Sequence, residues 1–180
     1  MSNYKLRTKV IKGAEVRFIS HLDFMNTLTR ALRRAEIPIA FSQGYNPRPQ
    51  ISFASALAVS LTSESEYIDF ELTKDLDPAE FRIRLNQELP TGIRVEKAMK
   101  VPVKIDSLMS IINAGSYIVR LEFKEKLTTE ELEEKVRQFL EKDEIKIIRK
   151  RRNKSDRELD LRPMIFSLEV VGVQGEIGTI

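Results

Sequence analysis

Ser20-His21-Leu22-Asp23-Phe24-Met25-Asn26-Thr27-Leu28-Thr29-Arg30-Ala31-Leu32-Arg33-Arg34-Ala35-Glu36 is the stretch on which the fold turns. Leu22, Met25, Leu28, Leu32 and Ala35 recur at helical spacing and predict a core-facing stripe. Ser20 is placed to cap the first turn, with Asp23 reaching back as the second half of a capping box. Arg30, Arg33 and Arg34 fall mostly off the stripe. Pro38 does not suit a continuing helix, so the element should end near Glu36.

Upstream, Tyr4, Leu6, Thr8 and Val10 alternate with Lys5, Arg7 and Lys9, the period of a strand with one buried face. Lys12-Gly13-Ala14 then reads as a turn or bulge. Downstream, residues 37–41 form a short apolar run that predicts a strand. Residues 42–49 form a loop, punctuated by Gly44, Pro47 and Pro49, and residues 51–61 read as extended. Ile68, Phe70 and Leu72 alternate with polar neighbours as another half-buried strand. Asp77-Pro78-Ala79-Glu80 opens a second helix with a cap and a proline at its first position. Phe81, Leu85 and Leu89 form its stripe, Pro90-Thr91-Gly92 stops it, and Ile93 and Val95 begin a strand. The order is βαββαβ, which predicts an α+β, ferredoxin-like unit over residues 1–99 with two helices on one face of an antiparallel sheet.

Residues 100–107 read as a connector, and a second unit is expected over residues 108–180. Tyr117, Val119, Leu121 and Phe123 alternate as a strand. Thr128 and Glu131 bracket a capped helix whose stripe is Leu132, Val136, Phe139 and Leu140, with Glu131/Lys135 and Glu133/Arg137 as favourable pairs one turn apart. Ile145, Ile147 and Ile148 form a third element. Residues 159–173 contain a further strand, with Phe166, Leu168 and Val170 on one face. That set is β, α, β, β, so a partial ferredoxin-like unit is expected, short of a helix and a strand.

Composition narrows the chemistry. The chain has 180 residues, no cysteine and a net charge of +3. A disulfide framework, a thiolate metal site and a bound iron–sulfur cluster are excluded. No apolar run has the length of a membrane span. The N-terminal residues do not read as a secretory signal, so no membrane partner and a cytoplasmic location are expected. Charge is uneven: residues 1–60 carry nine Lys and Arg against three acids, whereas residues 61–96 carry four against nine. Such asymmetry creates a local field for anions while the total stays small.

Three basic regions are candidates for RNA contact. Arg30, Arg33 and Arg34 form a compact guanidinium patch suited to phosphate. In the loop, Tyr45 can stack on an unpaired base, Arg48 can bind phosphate, and the amides of Asn46 and Gln50 can read base edges. Residues 146–157 include Lys146, Arg149, Lys150, Arg151, Arg152, Lys154 and Arg157 against a single acid, Asp156, and read as a basic loop tip able to track a backbone. His21 is the sole histidine and a weak candidate for general acid or base. With no second histidine and no cysteine beside it, no metal or cofactor is expected. Gly172, Gly175 and Gly178 lack a phosphate-loop lysine and read as a strand end or tail.

Three segments carry a family resemblance: Arg17-Phe18-Ile19-Ser20-His21-Leu22-Asp23, Arg30-Ala31-Leu32-Arg33-Arg34-Ala35, and Phe41-Ser42-Gln43-Gly44-Tyr45-Asn46-Pro47-Arg48-Pro49-Gln50-Ile51-Ser52-Phe53. Together with Glu64-Ser65-Glu66-Tyr67 and Asp160-Leu161-Arg162-Pro163, they resemble the radical-SAM-linked domain family, whose members occur fused to or encoded beside radical SAM proteins. Arg48 stands where histidine is common in that family. The family domain usually extends further, which agrees with an incomplete second unit.

The resemblance implies a radical SAM protein as partner and supplies no mechanism. A more distant likeness, in architecture only, is to the tandem ferredoxin-like endoribonucleases that process CRISPR repeat RNA. Three functions are therefore weighed. The first is a non-catalytic accessory domain that binds structured RNA such as tRNA. The second is a protein-interaction module that docks a radical SAM partner without RNA and uses the acidic residues 64–71. The third is a metal-independent endoribonuclease using His21.

Overall fold

The N-terminal alternation becomes β1 (Tyr4–Lys12) in the computed structural model, which describes residues 4–150 and 155–180. Leu6, Thr8, Val10 and Lys12 are buried, and Lys5, Arg7 and Lys9 turn to the other face. The buried hydroxyl of Thr8 donates to the Ile68 carbonyl at 2.9 Å, so its burial leaves no orphan donor.

A 3₁₀ turn (Ala14–Val16) leads into α1 (His21–Arg34). The Ser20 hydroxyl accepts the Asp23 amide at 3.1 Å, as expected of the cap. It also donates to the Asp23 carboxylate at 2.7 Å, so that carboxylate holds the hydroxyl. The buried face of α1 is Phe24, Leu28, Ala31 and Leu32. Leu22, expected at the head of the stripe, is 59% exposed, and Phe24 takes the inward position.

The helix closes with the Ile37 amide donating to the Leu32 carbonyl (3.0 Å) and the Glu36 amide to that of Arg33 (3.1 Å), with Glu36 at φ 51°. This is a Schellman closure with glutamate where glycine is usual. The Arg84 guanidinium covers the carbonyls of Ala35 (2.6 Å) and Glu36 (2.7 Å).

Residues 37–41 make only isolated bridges, Ile39 to Leu72 and Phe41 to Pro49, in place of the expected strand. Pro38 has no amide to give a ladder. The second strand is instead β2 (Ile51–Phe53), followed by β3 (Ser63–Leu72), α2 (Pro78–Glu88) and β4 (Ile93–Val101). Asp77 caps α2, accepting the amides of Ala79 (2.8 Å) and Glu80 (3.2 Å).

The four strands form an antiparallel sheet in the order β2-β3-β1-β4. The molecule is thus mixed α+β, and this order is compatible with a ferredoxin-like βαββαβ arrangement. One sheet face and both helices enclose a core that includes Leu6, Val10, Phe24, Leu28, Leu32, Ile68, Phe70, Phe81, Leu85 and Val95. Each such leucine or phenylalanine contributes about 1.5–3 kcal/mol by burial.

The other sheet face carries cross-strand ion pairs: Lys5–Glu71 at 3.3 Å, Arg7–Asp69 with two bonds of 2.9 Å, and Lys9–Glu96 at 2.6 Å. Asp69 is buried, and its carboxylate raises the pKa of Arg7. Arg7 also donates to the Asp106 carbonyl at 3.3 Å, which brings the segment after β4 onto this face. A single turn, α3 (Leu108–Ile111), follows and contacts β2 and β3, with Leu108 buried. Where β4 shifts register against β1, the Asn86 side-chain amide bonds the main chain of Val95 in both directions, at 2.9 and 2.8 Å.

The chain divides between Gly115 and Ser116. The sequence places a connector at 100–107 and begins the second unit at 108. The structure keeps both stretches in the first unit, because Val101 still pairs with Lys5 and Leu108 is buried.

The second unit contains β5 (Arg120–Glu122), α4 (Thr129–Leu140), β6 (Lys146–Arg149), β7 (Arg157–Asp160), β8 (Gly172–Gln174) and β9 (Ile177–Thr179). β5-β9-β8 form one antiparallel sheet, and β6-β7 a separate hairpin. Thr128 and Glu131 form the expected capping box (2.8 and 3.2 Å). Arg137 pairs with Glu134 where Glu133 was expected.

Leu132 and Val136 are buried, and Gly178 is close beneath them: a Cβ there would stand 2.7 Å from Leu132 Cδ2 and 3.0 Å from Phe123 Cε2. Phe166, Leu168 and Val170 lie outside any strand. Of the glycines expected in a strand end or tail, Gly172 begins β8, Gly175 turns the β8–β9 hairpin with φ 65°, and Gly178 lies within β9. Among the described residues, no helix is long and apolar enough to cross a membrane.

Candidate nucleic-acid interface

Asn26, Thr29, Arg30 and Arg33 fall at i, i+3, i+4 and i+7 on α1, so the helical period lines them up on one solvent-facing stripe. With Arg34 they line a shallow groove of about 470 Å³. Arg30 and Arg33 are exposed, and among the described residues neither forms an ion pair. Arg34 is committed elsewhere: its Nε donates to a Glu88 carboxylate oxygen at 2.8 Å, and Nη2 donates to the Glu88 carbonyl. Of the three expected phosphate-binding arginines, two are therefore disengaged.

The loop at 42–50 is pinned at its base. The Ser42 amide donates to the Arg48 carbonyl at 2.8 Å, and the Arg48 amide to the Ser42 hydroxyl at 3.0 Å. Gln50 is anchored to the sheet, donating to the Ala40 carbonyl (2.8 Å) and accepting from the Glu71 amide (3.1 Å). Tyr45 is fully exposed, and Asn46 and Arg48 are exposed on either side of Pro47.

The third basic region is the β6–β7 hairpin. Arg149 stands opposite Arg157 in the ladder, and both are exposed, as is Lys150. Like charges directly opposite destabilise a strand pair. Lys146 is bound to acids, in contact with Glu144 and Glu158. Arg151 and Arg152 lie outside the described residues. The groove and the loop belong to the first unit and the hairpin to the second.

His21, at the first position of α1, packs its ring edge to face on Phe53 with centroids 4.6 Å apart. Two of the motif segments meet in that contact. Behind it lies a residue that sequence reading passed over. Lys12 is buried, and its ammonium donates to the carbonyls of Arg17 (3.3 Å), Ile19 (3.4 Å) and Leu61 (3.4 Å). The Arg17 carbonyl also accepts the Ser60 amide at 2.8 Å. Lys12 thus positions the Arg17–His21 backbone. A signal for it existed, since position 12 continues the inward even-numbered register of Leu6, Thr8 and Val10.

The Asp160-Leu161-Arg162-Pro163 motif is likewise structural. One carboxylate oxygen of Asp160 accepts the amides of Ile145 (2.8 Å) and Arg162 (3.0 Å), and these two bonds hold its pKa below the ordinary value. Arg162 Nε donates to the Leu140 carbonyl at the end of α4, at 2.9 Å. The acidic strand expected to face a protein partner has Asp69 and Glu71 engaged by Arg7 and Lys5.

Residues 5–179 match the model of a family described as an uncharacterized protein conserved in bacteria, DUF2344, and the chain belongs to that family. No curated protein matches it.

Proposed function

We propose that this member of the DUF2344 family is a non-catalytic accessory module that binds structured RNA such as tRNA, in association with a radical SAM enzyme. The observation that carries the RNA reading is the α1 stripe: two guanidinium groups that have no carboxylate partner among the described residues, aligned with the Asn26 amide along one groove. Guanidinium forks match phosphate oxygens in geometry, and the Asn26 amide adds a neutral donor for sugar or phosphate, the Thr29 hydroxyl proton being given to the Met25 carbonyl at 2.9 Å. The Arg149–Arg157 pair and the exposed loop add cationic and stacking groups of the same kind. The radical SAM association rests on the sequence resemblance.

Binding of bulk tRNA to the purified protein, at about 50 and about 200 mM salt, tests the reading, because phosphate contacts release counterions. Replacing Arg30 and Arg33 together by alanine is expected to weaken binding and to lower the salt slope by about 1.5 to 2. Binding that ignores salt, or none at low salt, overturns it.

A second reading, docking of a protein partner without RNA, is favoured by one observation. Phe18 and Leu22 are 67% and 59% exposed on the segment that Lys12 clamps. Co-purification that survives nuclease and is lost in a Phe18→Ser, Leu22→Ser variant would select it.

A further inference from the structure

Resting on the RNA-binding reading, the geometry points to residues 42–50 as a clamp for one unpaired base, with Tyr45 as its stacking platform. The loop has few free torsions. Pro47 and Pro49 fix their own φ near −65° and bias Asn46 and Arg48, which precede them, toward extended backbone. The reciprocal Ser42–Arg48 bonds and the Phe41–Pro49 bridge close the base, and Gln50 joins that base to β3.

Gly44, directly before the tyrosine, has φ 136°, a torsion that residues with a Cβ rarely adopt. Among the described residues, nothing lies within 4 Å of where a Cβ would stand. Glycine is therefore required here by the backbone path, and that path lifts the next residue clear of the protein.

Tyr45 is left at 102% relative exposure on this stiff tip. A ring exposed in this way offers both faces to a flat partner. Its neighbours on the loop, Gln43, Asn46 and Arg48, are polar or cationic and exposed. They suit a base edge and a phosphate, and they supply no apolar wall for a buried side chain of a protein. A duplex does not fit, because its bases already stack on one another. An unpaired nucleotide does.

The test uses the full chain and a fluorescein-labelled single-stranded RNA about 10 nucleotides long, against the same strand annealed to its complement. Tyr45→Ala is expected to weaken single-strand binding by about 5-fold to 150-fold, the range of one lost base–aromatic stack. Tyr45→Phe should stay within about 2-fold, because the ring face is what binds. Gly44→Ala, which keeps the tyrosine but misdirects it, should behave like Tyr45→Ala. Duplex affinity should be the same in all variants.

Equal single-strand affinity in the wild type and Tyr45→Ala overturns the clamp and leaves the RNA reading standing. Loss of duplex and single-strand binding together also overturns it. A wild type that binds neither RNA removes the RNA reading itself. A Tyr45→Ala variant that keeps RNA but loses a protein partner assigns the loop to that partner.

Discussion

The two units are built from similar elements and differ in how much they bury. In the first, both helices and a four-stranded sheet share one continuous core, from Leu6 and Val10 through Phe70 and Phe81 to Val95. In the second, α4 contributes Leu132 and Val136 to a three-stranded sheet of three-residue strands, and Tyr117, Ile118, Ile148 and Phe166 stand largely exposed. An apolar groove of about 370 Å³ runs between Val136 and Leu140 on α4 and Leu168 and Val170. Stability in a small unit scales with the apolar surface it removes from water. The first unit therefore has many contacts to lose before it fails, and the second depends on a few.

Core truncation should separate the units most widely. Phe70→Ala is expected to destabilise residues 4–115 by about 3–5 kcal/mol, and Leu132→Ala to cost residues 116–180 about 2–5 kcal/mol. Hydrogen exchange resolved by segment checks this. If Leu132→Ala lowers protection evenly along the whole chain, the contrast between the units is broken.

Gly178→Ala comes next. A methyl group 2.7 Å from Leu132 Cδ2 and 3.0 Å from Phe123 Cε2 pushes these two side chains off their packing, at an expected cost of about 1–3 kcal/mol. A thermal midpoint unchanged from the wild type would show that the second unit is looser than its Leu132–Gly178 contact implies.

The smallest effect concerns pH. The Asp160 pKa lies below its ordinary value because the amides of Ile145 and Arg162 hold the ionised form. Its contribution is complete above the unfolded value of about 3.9 and is lost as pH falls through the depressed folded value. The second unit of the wild type should lose stability in that acid range more steeply than an Asp160→Asn variant. Parallel pH profiles would show that the two hydrogen bonds do not depend on charge.

Legibility in the sequence follows the same division. The β1 alternation, the Ser20 and Asp77 caps and the α1 stripe were readable because long elements repeat their period several times. Residues 37–41 misled because an apolar run says nothing of whether its amides find a ladder. Residues 166–170 misled in the same way, and the three-residue strands β8 and β9 are too short to show any period. Leu108 carries no local signal that assigns it to the first unit, because its burial depends on contacts with that unit's sheet.

At the candidate interface, sequence identified exposed basic residue types but not their commitments. Nothing in residues 30–34 announces that Arg34 is bound to Glu88 while Arg30 and Arg33 are not. The stiffness of the 42–50 loop was legible from its prolines. The Ser42–Arg48 bonds at its base needed coordinates.

The Asn86 side chain bears on solubility. β4 is the last strand of its sheet among the described residues, and an open strand edge is a template on which another chain can polymerise. By giving Val95 the donor and acceptor that a neighbouring strand would offer, Asn86 occupies that edge partway along. The stretch beyond it carries the exposed Lys97, whose charge disfavours a stacked copy, and Lys100, which is paired with Asp75 at 2.7 Å. One amide thus shortens the length of sheet edge open to pairing by another strand.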